Sequence, residues 1–205
     1  QGLARGIMAV DVALELDLGG DQAELDHLLF RDETSRSTAH PASHLFKGAS
    51  ERMSEGKTIE DVIRMMDENG VEMALIQVDS SRPETAIRIL DEHPGRFFGK
   101  VNVNPLEGME AIRKLEAVAQ GNPRVKAISI TPLYIQRPAN DKSYYPIYAK
   151  AIDLDLPVCI NVGIPGPRVP GWIQDPIYLD EPLWSFPELK LAMVHVGDPW
   201  EAMCV

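Results

Sequence analysis

Short apolar runs alternate with amphipathic helical segments along most of this 205-residue chain, and that alternation limits the fold more than any other feature. Residues 71–78 (VEMALIQV), 97–105 (FFGKVNVNP), 125–132 (VKAISITP), 156–163 (LPVCINVG) and 189–197 (LKLAMVHVG) each read as a strand, and residues 7–16 (IMAVDVALEL) add one at the start. Between them lie helical patterns. Residues 58–69 place Ile59, Val62, Ile63 and Met66 at helical spacing, with Thr58 as N-cap and Gly70 just past the end. Pro83 opens a helix with Ala86, Ile87 and Leu90 on one face. Residues 107–119 follow through Met109, Ile112, Leu115 and Val118, and Pro146 starts a helix carrying Ile147, Tyr148, Ala151 and Ile152. A short helix is expected around Pro182–Phe186, and Pro199 begins another.

Strands that are apolar on both faces and separated by amphipathic helices imply a parallel sheet. Six βα units fit either an open doubly wound sheet or part of a barrel. No Gly-x-Gly-x-x-Gly follows the first strand, which weighs against a dinucleotide fold. Residues 17–57 are irregular, hold three histidines and lack clean periodicity; a connection this long is usually functional or disordered.

Composition narrows the partners. A formal net charge of −11 repels nucleic acid and anionic membrane surfaces, and the scattered acidic residues read as a solvated face. No stretch approaches the roughly 20 apolar residues of a membrane span. Two cysteines, Cys159 and Cys204, make no disulfide framework, and a reducing cytoplasm is expected.

The segments GVEMALIQV (70–78), RFFGKVNVNP (96–105), VKAISITP (125–132), DLPVCINVG (155–163) and FPELKLAMVHVGDPW (186–200) resemble, in order and spacing, amidohydrolase family 2, which includes aminocarboxymuconate-semialdehyde and resorcylate decarboxylases. The resemblance covers about residues 7–205 and stops before strands seven and eight. It implies one TIM-type (β/α)8 barrel domain over residues 1–205, incomplete at about six βα units, with a long inserted loop at 17–57. A full barrel usually takes about 250 residues.

Family members bind a divalent metal through a His-x-His on strand one, a His on strand five and an Asp on strand eight, with a strand-six His beside the metal. This chain departs from that set. Strand one reads Asp11-Val12-Ala13-Leu14-Glu15, where Ala13 ligates nothing and Glu15 can; the strand-five position is Asn161; the strand-six His is kept as His195; the strand-eight Asp has no counterpart. The resemblance therefore assigns His195 as the catalytic acid/base, suited to proton transfer because histidine titrates near neutrality. Glu15 and Asn161 are candidate metal ligands, and an oxygen-rich set favours Mn²⁺ or Mg²⁺ over the Zn²⁺ usual in the family, with a metal-free chain as the alternative. Each candidate has a plainer structural reading: a hydrogen-bonded histidine, or polar groups tied to neighbouring loops.

Two loops add candidates. Residues 163–172 carry three prolines and three glycines, which stiffen the path and present Arg168 as a carboxylate clamp. Asn161 and Trp172 would line the same substrate pocket. His40 and His44 share helical metal-site spacing but lack the intervening glutamate, and Lys47, Arg31 and Arg36 read chiefly as surface charge. The expected activity is hydrolysis or non-oxidative decarboxylation of a small carboxylated substrate, by a chain that forms a homo-oligomer. The alternatives are a non-catalytic or metal-free relative, and a fragment lacking the full active site.

Overall fold

The computed structural model describes residues 9–14, 16, 32–36, 57–165 and 169–204. Six parallel strands lie side by side in sequence order: β1 (Ala9–Leu14), β2 (Val71–Asp79), β3 (Phe97–Asn102), β4 (Val125–Ile130), β5 (Val158–Asn161) and β6 (Leu191–Val194). That is the strand order of a TIM-type barrel, and among the described residues the sheet comprises six of its strands. The helices are α1 (Glu33–Arg36), α2 (Ile59–Glu68), α3 (Glu84–Glu92), α4 (Met109–Gly121), α5 (Pro132–Ile135), α6 (Tyr145–Asp153) and α7 (Asp180–Ser185).

The strands are two-faced. On β2, Ala74, Ile76 and Val78 are buried against the helices, in one cluster with Met66 of α2 and Ile89 and Leu90 of α3. Phe97 and Val101 of β3 join the same cluster. The period of two then sends Leu75 and Gln77 of β2, and Phe98, Lys100 and Asn102 of β3, to the opposite, inner face. That face has its own small apolar cluster, in which Ala127, Cys159 and Val194 pack with Leu75.

Local chemistry fixes the helices as the sequence predicts. Thr58 and Asp61 form a reciprocal capping box on α2, with Asp61 N donating to Thr58 Oγ1 at 3.1 Å and Thr58 N donating back to Asp61 at 3.2 Å. Gly99 lets α3 sit close to the sheet: a Cβ there would stand 2.9 Å from Val78 Cγ2 and 3.0 Å from Leu90 Cδ1.

Several boundaries differ from the sequence reading: the strands expected over 97–105, 125–132 and 156–163 are shorter, at Phe97–Asn102, Val125–Ile130 and Val158–Asn161. The helix expected over 107–119 begins as a 3-10 turn, Pro105–Glu107, capped by Asn104, and α4 proper starts only after Gly108. The strand expected to reach residue 197 ends at Val194, because His195, Val196 and Gly197 have φ of 70°, 59° and 78° and left-handed residues cannot extend a strand. After Pro199 the chain makes a 3-10 turn, Glu201–Met203, in place of a helix. In the 17–57 connection, α1 is a single turn, and His40, His44, Lys47 and Arg31 lie outside the described residues.

Candidate active site

In barrels of this kind chemistry gathers where the strands end and the βα loops begin. Asn161 is the last residue of β5, and its ladder partner is Val194, the last residue of β6. His195 comes one residue later. The left-handed turn swings its ring over the end of β5, where Nε2 lies 3.3 Å from Asn161 Nδ2. Asn161 is half-buried and His195 is exposed, so the pair joins a supported amide to a solvent-accessible imidazole.

The backbone around the pair is tied from both sides. Gly163 N donates to the Gln174 carbonyl at 3.0 Å, and the buried Gln174 amide donates back to the Gly163 carbonyl at 3.0 Å. Ile164 N donates to the Asp198 carbonyl at 2.9 Å, which links the loop after β5 to the turn after β6. Gly163 has φ 96°, and a Cβ there would come 2.8 Å from that same Asp198 carbonyl. Cys204 Sγ packs on Gly197 so closely that no side chain fits at 197. Val196, β-branched at φ 59° and largely exposed, is strained by its backbone.

The candidates fall in different places. Asn161 and His195 come together. Trp172 sits on the 3-10 turn Gly171–Gln174 that clamps Gly163, half exposed, with its ring edge-on to Tyr178 at 6.2 Å. Arg168 and Glu15 lie outside the described residues. Sequence reasoning passed over Gln174, which has no motif around it, and Lys100. A signal for Lys100 existed: it is the one charge inside the apolar run FFGKVNVNP.

A shallow depression of about 440 Å³ is lined by Asp67, Val71, Gly95 and Arg96, at the opposite, N-terminal end of β2 and β3. It is therefore remote from the strand ends that carry Asn161 and His195.

The described residues do not by themselves fit a metal centre. No three His, Cys, Asp or Glu side chains converge among them, and Asn161 with His195 offers one amide and one imidazole, fewer than the three protein ligands of a catalytic site. The chemistry open to the pair is proton transfer at an imidazole positioned by a neutral amide. Both cysteines are free thiols; burial pushes Cys159 up, with the Lys100 charge pulling it the other way.

A run of parallel strands in sequence order, with polar groups at their C-terminal ends, defines a TIM-barrel-type scaffold, and the comparisons narrow it. The amidohydrolase family model matches residues 82–204, and the chain belongs to amidohydrolase family 2. Among solved structures, an uncharacterised TIM-barrel protein from Bordetella bronchiseptica is 16% identical with a TM-score of 0.65, over 97% of this chain and 70% of that one. A 5-carboxyvanillate decarboxylase from Novosphingobium aromaticivorans, complexed with manganese and 4-hydroxy-3-methoxy-5-nitrobenzoic acid, is 17% identical with a TM-score of 0.62, over 93% and 65%. A 2,6-dihydroxybenzoate decarboxylase from Rhizobium is 13% identical with a TM-score of 0.58, over 98% and 69%. No curated protein matches the chain. No helix among the described residues is long and apolar enough to cross a membrane.

Proposed function

We propose that this chain acts on a small carboxylated substrate by non-oxidative decarboxylation or hydrolysis, with His195 as the acid/base. The observation that carries the reading is the 3.3 Å approach of Asn161 Nδ2 to His195 Nε2 at the C-terminal ends of adjacent strands. Family membership and the decarboxylases among its structural neighbours support it. In the decarboxylation, the bond from the ring or chain carbon to the carboxylate breaks and its electron pair stays on that carbon. Carbon dioxide leaves, and the His195 imidazolium delivers the proton that replaces it. Arg168, in the stiff loop after β5, holds the substrate carboxylate until that step, and Trp172 walls the pocket on the same side. A divalent cation held by Glu15 and Asn161 would be a hard one, Mn²⁺ or Mg²⁺ before Zn²⁺, because both offer oxygen.

The test is an assay of 2,6-dihydroxybenzoate and 5-carboxyvanillate with Mn²⁺, Mg²⁺, Zn²⁺ and chelator in turn, with metal content measured on the same samples. Turnover should fall by roughly 100-fold or more in His195→Asn, a replacement that tolerates the left-handed backbone. Equal turnover in His195→Asn sinks the assignment. A second reading, a non-catalytic relative, is favoured by Ala13 and Asn161 standing where the family has ligating histidines. Absence of turnover on every carboxylated substrate and metal, with the fold intact, selects it.

A further inference from the structure

Three successive residues after β6 are left-handed, and two of them, His195 and Val196, carry a side chain. Such a turn persists only where its surroundings over-determine it. Backbone hydrogen bonds supply that here. Val162 N donates to the Val194 carbonyl at 3.4 Å, Ile164 N to the Asp198 carbonyl at 2.9 Å and Trp200 N to the Gly197 carbonyl at 2.6 Å. Cys204 Sγ packs on Gly197 from the other side. Two of those bonds come from the segment that follows β5, so the turn that presents His195 is only as fixed as that segment.

Gln174 fixes the segment at Gly163, where the backbone bends at φ 96°. Gly163 N donates to the Gln174 carbonyl and the Gly163 carbonyl accepts from Gln174 Nε2, each at 3.0 Å. Gln174 is 4% exposed and ends the 3-10 turn Gly171–Gln174. The residues around it are themselves tied. Asp175 N donates to the Trp172 carbonyl at 3.2 Å, the Asp175 carboxylate accepts from Ile177 N at 2.9 Å, and Trp172 stands edge-on to Tyr178. Gln174 Oε1 is buried without a partner. An apolar side chain of the same length would avoid that cost, so the bond from Nε2 to Gly163 is what the amide contributes.

We infer that Gln174 is a positioning residue for His195: its Nε2, through Gly163 and the Ile164–Asp198 bond, holds the left-handed turn that sets the imidazole against Asn161. The inference rests on the reading of His195 as the acid/base and deepens it. Gln174 acts through the backbone of the two loops.

The experiment follows the His195 ring signals by NMR in the full chain, beside turnover of 5-carboxyvanillate. Gln174→Met keeps the length of the side chain and removes the donor, and thermal melts establish that it folds. It should move the His195 ring signals toward those of Asn161→Ala. It should also lower kcat about tenfold or more and leave KM within about twofold. Wild-type ring signals in folded Gln174→Met overturn the inference. If Gln174→Met does not fold, hydrogen exchange in the wild type decides: the Gln174 side-chain amide and the Gly163 and Ile164 amides should be protected, and exchange at the rate of an exposed loop overturns the inference. A wild type that turns over no carboxylated acid removes the acid/base reading, and the ring signals still decide whether Gln174 sets the pair.

Discussion

Asn161 Nδ2 stands 3.3 Å from His195 Nε2 across the ends of β5 and β6, so the imidazole has a neutral neighbour. With the amide nitrogen donating, Nε2 accepts and the neutral ring carries its proton on Nδ1. Asn161→Asp replaces that amide with a carboxylate at nearly the same position and favours the imidazolium. The variant's ring should hold its proton to higher pH than the wild type's, read from the His195 ring signals by NMR. The sign for stability follows. The added ion pair contributes fully below the unfolded histidine value and is lost as pH rises through the raised folded value. Unmoved ring signals would mean that the two side chains are apart in solution.

Gly163 is the second point on which the site hangs. Its φ of 96° disfavours any L side chain, and a Cβ would stand 2.8 Å from the Asp198 carbonyl that accepts from Ile164 N. Gly163→Ala should destabilise the chain by roughly 1–3 kcal/mol in denaturant melts, because a backbone carbonyl cannot step aside as a flexible side chain does. The same substitution should also lower turnover, since the Ile164–Asp198 link holds the β5 and β6 loops together. A melt equal to wild type would show that this loop closure is not populated.

The βα alternation was legible because burial imposes it: periodic apolar residues have to be where the strands and helices are. Thr58 announced α2 as its N-cap, and the structure completes the capping box with Asp61. What escaped was set by neighbours distant in sequence. The strand containing His195 looks continuous to Gly197, yet it ends at Val194 because the following turn is held by Asp198 and Cys204. Lys100 looked like one polar residue in an apolar run, and only the register with Gln77 and Ala127 puts it on the inner face of the sheet. The contact of Asn161 with His195 follows from β5 and β6 being adjacent, which sequence order suggested but could not measure.

Acid should weaken the fold from a defined direction. Hydrogen bonds from the Thr58 hydroxyl and backbone hold Asp61 below the usual aspartate value, with Arg64 adding to them, and the Ser143 hydroxyl and backbone do the same for Asp141. Folded-state values below the ordinary 3.8 mean that the unfolded chain takes up protons first. The stability these groups confer is present above about pH 4 and drains as pH falls through their depressed folded values. Melts between pH 6 and pH 2 should therefore show an acid slope that Asp61→Asn and Asp141→Asn each make shallower. An unchanged slope in both variants would assign the acid loss to other carboxylates.

Val196 and Val194 offer opposite responses to one substitution. Val196 is β-branched, 70% exposed and left-handed at φ 59°, so it gains little from its side chain and is strained by its backbone. Glycine removes a strain of about 1–2 kcal/mol while costing less than that in unfolded-state entropy. Val196→Gly should therefore raise stability by about 0.5–1 kcal/mol. Val194 is the last residue of β6, buried, and packed with Ala127 and Cys159 on the inner face. Val194→Gly loses that contact and a strand former, and should cost roughly 2 kcal/mol or more. Paired urea melts decide the matter. If Val196→Gly destabilises as Val194→Gly does, the strand runs on through His195, and the turn that carries the imidazole to Asn161 does not form.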